Sequence, residues 1–172
     1  LNNFATLVDT ATGAAVILDG KRIKSINRWY NKENARLQSI KDKQGLTGIT
    51  KRQARLLKKR DCQLGEAMNR YVVWIANYAL QHRIGTVILP RWDGIKDKIR
   101  HGKRGNQNFV QVPYHKFRQK LKSKCELYGI RFDDSHSEAY TSQVDALNLD
   151  PIAKPPYGRK RRIRRGLYRS AL

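Results

Sequence analysis

The chain has 172 residues, which is enough for one domain with a hydrophobic core, and 40% of them are hydrophobic. It carries 36 Lys and Arg against 14 Asp and Glu, a net charge of +22, so the expected partner is a polyanion, with nucleic acid first. The sequence shows no signal peptide and no apolar run near the roughly 20 residues of a membrane span. We therefore expect a cytoplasmic protein that does not bind membranes. Because it begins with Leu1 rather than Met, we interpret the chain as part of a larger protein.

The first residues predict an antiparallel meander. Apolar runs at 4–8 and 14–18 are separated by turn residues, and Asp19-Gly20 is a hairpin signal after which 21–24 can return as a third strand. Asp9 and Asp19 both end predicted strands, and we interpret their carboxylates as turn groups.

Two helices are predicted next. Ser25 can cap a helix over 27–44, and Thr50 can cap a long helix over 51–83. The apolar set of the first helix is Trp29, Tyr30, Leu37 and Ile40. The long helix has a basic first half and an apolar stripe in its second half, and the basic half is either a solvated surface or a nucleic-acid contact. Its candidate contact residues are Lys51, Arg52, Arg55, Lys58 and Lys59.

A continuous apolar run at 86–89 predicts a strand buried on both faces, and Pro90 ends it. The next segment, 91–112, is too long for a structureless loop in a compact domain unless it is functional or disordered. It combines an aromatic with basic residues, which suits base stacking and phosphate contact. Its candidate contact residues are Arg91, Trp92, Lys103 and Arg104.

A helix followed by a short strand is predicted after Pro113. The apolar positions of this helix are Phe117, Leu121, Cys125 and Tyr128. Gly129 stands where a left-handed C-terminal cap belongs, and 130–132 restart the chain as a strand. The unit 86–134 therefore predicts a strand, a crossover helix and a second strand. Carboxylates follow directly, where ligands bind in open α/β sheets, at Asp133, Asp134 and Glu138.

The end of the chain is rich in proline and then strongly basic. Alone, such a segment is disordered, and it can also lie along a phosphate backbone. Its candidate contact residues are Arg159, Lys160, Arg161, Arg162, Arg164 and Arg165.

Six stretches of the chain carry a family resemblance. They are LNNFATLVDTATG, KSINRWYNKENARLQSI, NQNFVQVPYHKF, KSKCELYGI, SEAYTSQ and RIRRGLYRSAL. In this order they resemble the RuvC-like nuclease domain of TnpB proteins, the OrfB-type accessory transposases of insertion sequences, which are related to type V CRISPR effectors. The resemblance implies an α/β fold of the RNase H-like, RuvC-type class, with a mixed sheet, an antiparallel N-terminal meander and flanking helices.

The resemblance also implies boundaries and partners. Residues 1–150 would form a partial nuclease domain with a helical insertion at about 26–84, and 151–172 a basic segment. In the complete protein a guide RNA would select a DNA target, which this domain would cut by Mg²⁺-dependent phosphodiester hydrolysis. The protein would work in the bacterial cytoplasm at the nucleoid. Its oligomeric state stays open.

Three catalytic acids are implied by the family. One, in a Gly-x-Asp-x-Gly motif, would precede Leu1, and another, in an Asn-Ala-Asp motif, would follow Leu172, so whether this chain alone is an enzyme stays open. Many relatives place the remaining Glu where this chain has Pro90, but one subgroup places it before a Tyr-Thr-Ser motif, as Glu138 stands in SEAYTSQ. Glu138 is therefore the candidate catalytic acid and Mg²⁺ ligand. Weaker candidates by position are Asp93, Asp133 and Asp134.

Cysteine usage argues against a structural zinc site. Cys62 and Cys125 are too few for a disulfide framework or a zinc cluster, and we predict that both are small buried side chains. Relatives often carry a four-cysteine zinc ribbon after the Tyr-Thr-Ser motif, and this chain has no cysteine there, so zinc is not expected.

Two other interpretations remain. One is a catalytically degenerate relative that holds RNA or DNA without cutting it, as Pro90 suggests. The other is an unrelated basic RNA-binding protein, which predicts that residues 1–24 and 86–134 do not share one sheet.

Overall fold

The structure, a computed structural model, describes residues 3–90, 112–137, 140, 151, 162–164 and 167–169. These residues form three helices and six short strands. The helices are α1 (Lys21–Lys43), α2 (Lys51–Gln81) and α3 (Tyr114–Leu127). The strands are β1 (Asn3–Val8), β2 (Ala15–Asp19), β3 (Thr86–Ile88), β4 (Arg131–Asp133), β5 (Arg162–Arg164) and β6 (Leu167–Tyr168).

The described strands pair as three separate two-stranded sheets, β1–β2, β3–β4 and β5–β6. The mixed α/β character expected from the sequence is confirmed. The single mixed sheet is not seen in the described ranges, where 1–24 and 86–134 contribute to different sheets. The chain divides into two compact units, one within Leu1–Val87 and Gly94–Phe132, the other within Ile88–Asp93 and Asp133–Leu172.

β1 and β2 form the predicted antiparallel hairpin, closed by turn chemistry at Asp9. The carboxylate of Asp9 accepts hydrogen bonds from the amide of Ala11 (2.9 Å) and the hydroxyl of Thr12 (2.7 Å). These bonds hold the pKa of Asp9 below its usual value, the Thr12 hydroxyl first and the Ala11 amide second. Gly13 completes the turn with φ +71°, a conformation that favours glycine. The interpretation of Asp9 as a turn residue is confirmed.

The predicted third strand over 21–24 is wrong, because those residues form the first turn of α1. Gly20 has helical φ and ψ instead of a hairpin conformation, and Asp19 Oδ1 accepts the amide of Lys21 (2.8 Å). Asp19 is thus a turn residue as expected, but the turn leads into a helix. Burial of Ile23 (0% exposed) stabilises that helical turn.

Helices α1 and α2 pack antiparallel to each other, and polar contacts join them near the basic half of α2. Thr50 caps α2 in a full capping box, in which the Gln53 amide donates to Thr50 Oγ1 and the Thr50 amide donates to Gln53 Oε1. Gln53 also donates to Gln38 Oε1 on α1 (3.0 Å). The predicted start of α2 is therefore confirmed, and its end lies two residues earlier than expected, at Gln81.

The core lies along the second half of α2. All but one of the buried apolar residues of α2 belong to the predicted stripe. They are Leu64, Ala67, Met68, Val72, Ile75, Ala76 and Ala79, of which Ala67 lies outside the stripe. Phe4 stands at an irregular register between Asn3 and Ala5, so the bulge directs its ring into this core. The Phe4 ring contacts Tyr71 and Phe117 with centroids 4.8 Å apart in each case. The hairpin, α2 and α3 thus share one aromatic cluster.

β3 and β4 form a parallel pair. The amide of Arg131 donates to the carbonyl of Gly85, and the amide of Leu89 donates to the carbonyl of Asp133, both at 2.9 Å. Residue numbers rise together along the pair, so the strands run in the same direction, as a crossover connection requires. Gly129 takes its predicted left-handed conformation (φ +68°) between α3 and β4.

Three expectations about burial and order are wrong. β3 is not buried on both faces, since its described sheet has only two strands and Ile88 is 55% exposed. Cys62 is exposed, whereas Cys125 is buried as predicted. The basic tail contains the antiparallel pair β5–β6, although disorder was expected. None of the helices in the described part combines the length and hydropathy of a membrane span.

Candidate nucleic-acid interface

The basic half of α2 is a solvent-exposed cationic surface. All five of its candidate contact residues are exposed, namely Lys51, Arg52, Arg55, Lys58 and Lys59. The helix bears no acidic residue in its first turn. Within the described ranges, no salt bridge to these five cations is found. The charges therefore remain available to an anionic ligand.

A groove of about 360 Å³ lies between α1 and this basic surface. Its lining residues are Trp29, Glu33, Arg36, Leu37, Arg52, Arg55, Leu56 and Lys59. We call it the α1–α2 groove. Arg36 is paired with Glu33 at 3.2 Å, so the groove keeps a net positive charge from Arg52, Arg55 and Lys59. Phosphate groups would lower the repulsion among these cations.

Trp29 supplies an aromatic surface at this groove. Its side chain is 38% exposed, and Lys59 Nζ lies 5.2 Å from the ring centroid, a cation–π distance. Trp29 belongs to the predicted apolar set of α1 and was not among the predicted site residues. The signal that selected Trp92, an aromatic among basic residues, was also present at Trp29, between Arg28 and Lys32.

Polar contacts next to the groove fix the two helices against each other. Arg60 Nε donates to Asn27 Oδ1 (2.9 Å), and Asn27 is only 3% exposed. The guanidinium of Arg60 also lies over the Tyr30 ring, 5.0 Å from its centroid. With the Gln53–Gln38 bond, these contacts hold Trp29 beside the basic face of α2. The fold thus orders Trp29 and the basic face of α2 before any ligand binds, which lowers the entropy cost of binding.

The carboxyl end of β4 carries the predicted acids, but it does not form a metal site in the described residues. Asp133 Oδ1 accepts the Ser135 amide (2.9 Å) and the Ser135 hydroxyl (2.7 Å), and Asp133 Oδ2 is 3.7 Å from His136 Nε2. This carboxylate closes a turn. In the described ranges no three residues of His, Cys, Asp or Glu are grouped to hold a metal ion. These residues alone therefore do not fit a two-ion Mg²⁺ centre.

The other predicted site residues fall partly outside the described ranges. Those outside are Glu138, Asp93, Arg91, Trp92, Lys103, Arg104, Arg159, Lys160, Arg161 and Arg165. Arg162 and Arg164 belong to β5 by their backbone. The structure thus brings together the α2 candidates, and the remaining ones stay predictions.

Comparison with solved structures shows a shared fold. The chain is similar to a chain of a Cas12f1–sgRNA–target DNA complex, with a TM-score of 0.51 and 16% sequence identity. The similarity covers 76% of this chain and 32% of that chain, so this chain spans about a third of the length of the solved relative. Among curated proteins, no match is found.

Family assignment rests on the N-terminal half. The profile of the OrfB_IS605 family, described as probable transposase, matches residues 1–93, which is more than half of the chain. This match contradicts the interpretation as an unrelated basic RNA-binding protein, although the separate sheets agree with what that interpretation predicted. The chain therefore belongs to the OrfB_IS605 family of probable transposases.

Proposed function

We propose that this chain is the part of a transposon-encoded, RNA-guided DNA endonuclease that holds a nucleic-acid backbone in the α1–α2 groove. The observation that carries the proposal is the groove itself, where Arg52, Arg55 and Lys59 converge beside an exposed Trp29. Membership in a transposase family and likeness to a protein solved with sgRNA and target DNA support the same class of partner.

The groove suits a single strand. Its cations can neutralise phosphates and release condensed counterions, which makes binding independent of sequence and steeply dependent on salt. The Trp29 ring offers a stacking surface, worth about 1–3 kcal/mol per base in proteins that bind single strands. We assign phosphate contacts to Arg52, Arg55 and Lys59, and base stacking to Trp29. Lys51 and Lys58 contribute to the surrounding positive field.

Cleavage is proposed for the complete protein and not for this chain alone. We propose that its domain is RNase H-like and RuvC-type, with residues of about 26–84 as a helical insertion, and that Glu138 is a Mg²⁺ ligand together with acids outside this chain. Two divalent ions about 4 Å apart activate water and stabilise the leaving oxygen in such nucleases. The family resemblance supports this assignment.

A cleavage experiment tests the proposal. The complete protein, extended at both ends to family length, would be purified with its co-expressed RNA and incubated with plasmid DNA, with Mg²⁺ or with chelator. We expect cleavage that needs Mg²⁺ and is lost in Glu138→Gln. The matched control is Glu126→Gln, which removes an exposed carboxylate of α3 and should leave cleavage unchanged. Cleavage that survives Glu138→Gln would move the metal ligand to another acid, first Asp93 or Asp134.

A degenerate nucleic-acid-binding module is the second candidate. Pro90 at the usual position of the Glu favours it, as does the turn role of the Asp133 carboxylate. This candidate predicts that the purified protein retains RNA but cuts no DNA under any condition, and that Glu138→Gln changes nothing. The same preparation therefore separates the two functions.

A further inference from the structure

We propose that a second site, a pocket between α2 and the start of α3, binds one phosphodiester group of a nucleic-acid strand. The pocket holds about 410 Å³ and is more enclosed than the α1–α2 groove. Its lining residues are Arg60, Asp61, Leu64, Gly65, Met68, Pro113, Lys116 and Lys120. We call it the α2–α3 pocket. The proposal rests on the proposed function, because the phosphodiester is that of the strand bound by this chain.

The charge in this pocket calls for an anion. Three of its side chains are cationic and one is acidic, and Asp61 is already paired with Arg60 at 3.3 Å. Lys116 and Lys120 stand one helical turn apart on α3, a spacing at which like charges repel. Lys120 Nζ donates to Asn69 Oδ1 at 2.7 Å, which orients the ammonium without neutralising it. A phosphodiester between the two lysines would remove their repulsion.

Gly65 gives a second, independent indication of a ligand. It lies in the interior of the 31-residue α2, where glycine is among the poorest helix formers. Packing does not require glycine there, since a Cβ at this position would meet no atom of the described chain within 4 Å other than the adjacent residues and backbone of α2 itself. Gly65 instead forms part of the pocket wall. Its missing side chain leaves the backbone open to close approach by a ligand, a common use of glycine at binding sites.

Fixed geometry makes the pocket a specific site. The Arg60 side chain is only 14% exposed, and its guanidinium is held by Asn27, Asp61 and the Tyr30 ring, so its position is set before binding. Arg60 therefore orients the pocket, while Lys116 and Lys120 contact the phosphate. Leu64 and Met68 exclude water from one side, which strengthens charged hydrogen bonds.

Charge removal provides the first test. The 172-residue chain would be titrated with single-stranded RNA and single-stranded DNA of one sequence across a range of salt concentrations. We expect Lys116→Gln with Lys120→Gln to weaken binding about tenfold and to make the log–log salt slope shallower by about 1, as for one lost phosphate contact. The matched control, Lys24→Gln with Lys122→Gln, removes two exposed lysines outside the pocket and should change neither quantity. If the variant binds both RNA and DNA more weakly, the pocket binds the phosphodiester that the two share. If only one of them binds more weakly, the pocket belongs to the path of that strand.

Filling the pocket provides the second test. Gly65→Ala should raise Tm by about 2–4 °C, because alanine favours the helix, and should still weaken binding. Gly65→Leu should fill the pocket and weaken binding further. A folding defect cannot explain weaker binding by Gly65→Ala, because this variant should be more stable than the unmodified chain.

The outcomes separate this proposal from the proposed function. If the unmodified chain binds neither RNA nor DNA, the proposed function fails and the pocket proposal fails with it. If the chain binds, and both the lysine pair and the Gly65 variants match the control, only the pocket proposal is overturned.

Discussion

The two halves of α2 have opposite surroundings. The first half, 51–59, exposes five cations, three of which line the α1–α2 groove, whereas the second half, 64–79, buries apolar side chains against the hairpin and α3. A buried aliphatic side chain contributes about 1.5–3 kcal/mol to folding, and exposed charges contribute little. The second half of α2 therefore packs into the core, and the first half exposes positive charge. Substitutions in the two halves should therefore change different measurements.

The largest expected effect is on stability, at the aromatic cluster of the anchored half. Phe4 is 5% exposed and contacts Tyr71, Tyr114 and Phe117. Phe4→Ala should lower the free energy of unfolding by about 3–5 kcal/mol, from lost burial and a cavity. Chemical denaturation followed by circular dichroism measures this. Val8→Ala, at a 62% exposed position of the same strand, should change it by less than about 0.5 kcal/mol. Equal effects at Phe4 and Val8 would contradict the placement of the core.

Trp29→Ala should affect binding instead. Loss of one stacked base costs about 1–3 kcal/mol, which is roughly 5- to 150-fold in Kd for a single-stranded oligonucleotide. Trp29→Phe should retain most of the affinity, because it keeps a ring at the groove. Fluorescence anisotropy measures both variants, with Tm as the check on folding. An unchanged affinity in Trp29→Ala would contradict base stacking on Trp29.

Thr50→Ala should loosen the first turn of the basic half of α2. It removes the side-chain cap of α2, at a cost of about 1 kcal/mol in stability. Because the first turn carries Lys51 and Arg52, fraying there should also lower affinity slightly. Hydrogen exchange at the amide of Gln53 measures the fraying directly. Thr50→Ser keeps the capping hydroxyl and should behave like the unmodified chain, whereas exchange as fast as in Thr50→Ala would argue against the cap.

The smallest effect is a difference in reactivity between the two cysteines. Cys62 is exposed at the boundary between the halves, and Cys125 is buried in α3. Burial raises the pKa of the Cys125 thiol, and the nearby Glu126 charge raises it further, so its thiolate is scarce at neutral pH. A thiol reagent at pH 7 should modify Cys62 within minutes and Cys125 only after denaturant is added. Mass spectrometry of the peptides reports both sites, and early labelling of Cys125 would contradict its burial.

Local signals predicted much of the fold where sequence and packing agree. The cap at Thr50, the burial of Phe117, Leu121 and Cys125, and the left-handed Gly129 each depend on nearby residues alone, and each is confirmed. Tyr128, predicted on the same apolar face, is instead 39% exposed at the end of the helix. Asp19-Gly20 led to the wrong prediction of a third strand, because the same two residues can form a hairpin turn or start a helix. Burial of Ile23 favours the helix. Exposure of Ile88 and Cys62 depends on which elements pack nearby, which periodicity does not encode.

The site was predictable by charge but not by shape. The five basic residues of α2 were selected because their charge is visible in sequence, and all are exposed. Trp29 was assigned to the apolar set of the first helix because an aromatic at helical spacing usually packs inward. Only the packing of α1 on α2 places it beside Lys59. Gly65 could not be recognised as a site residue from the sequence either, because its role depends on a pocket formed with a helix about 50 residues later in the chain.

The most direct test of the central claim is the salt dependence of single-strand binding by the groove variant Arg52→Gln, Arg55→Gln, Lys59→Gln. We predict a loss of affinity on the order of 10- to 100-fold, a log–log slope shallower by about 2, and an unchanged Tm. The control Lys24→Gln, Lys43→Gln, Lys122→Gln makes the same change in charge at exposed sites outside the groove and should retain the slope. Equal losses of affinity and slope in both variants would show that net charge alone drives binding, and would contradict a site in the α1–α2 groove.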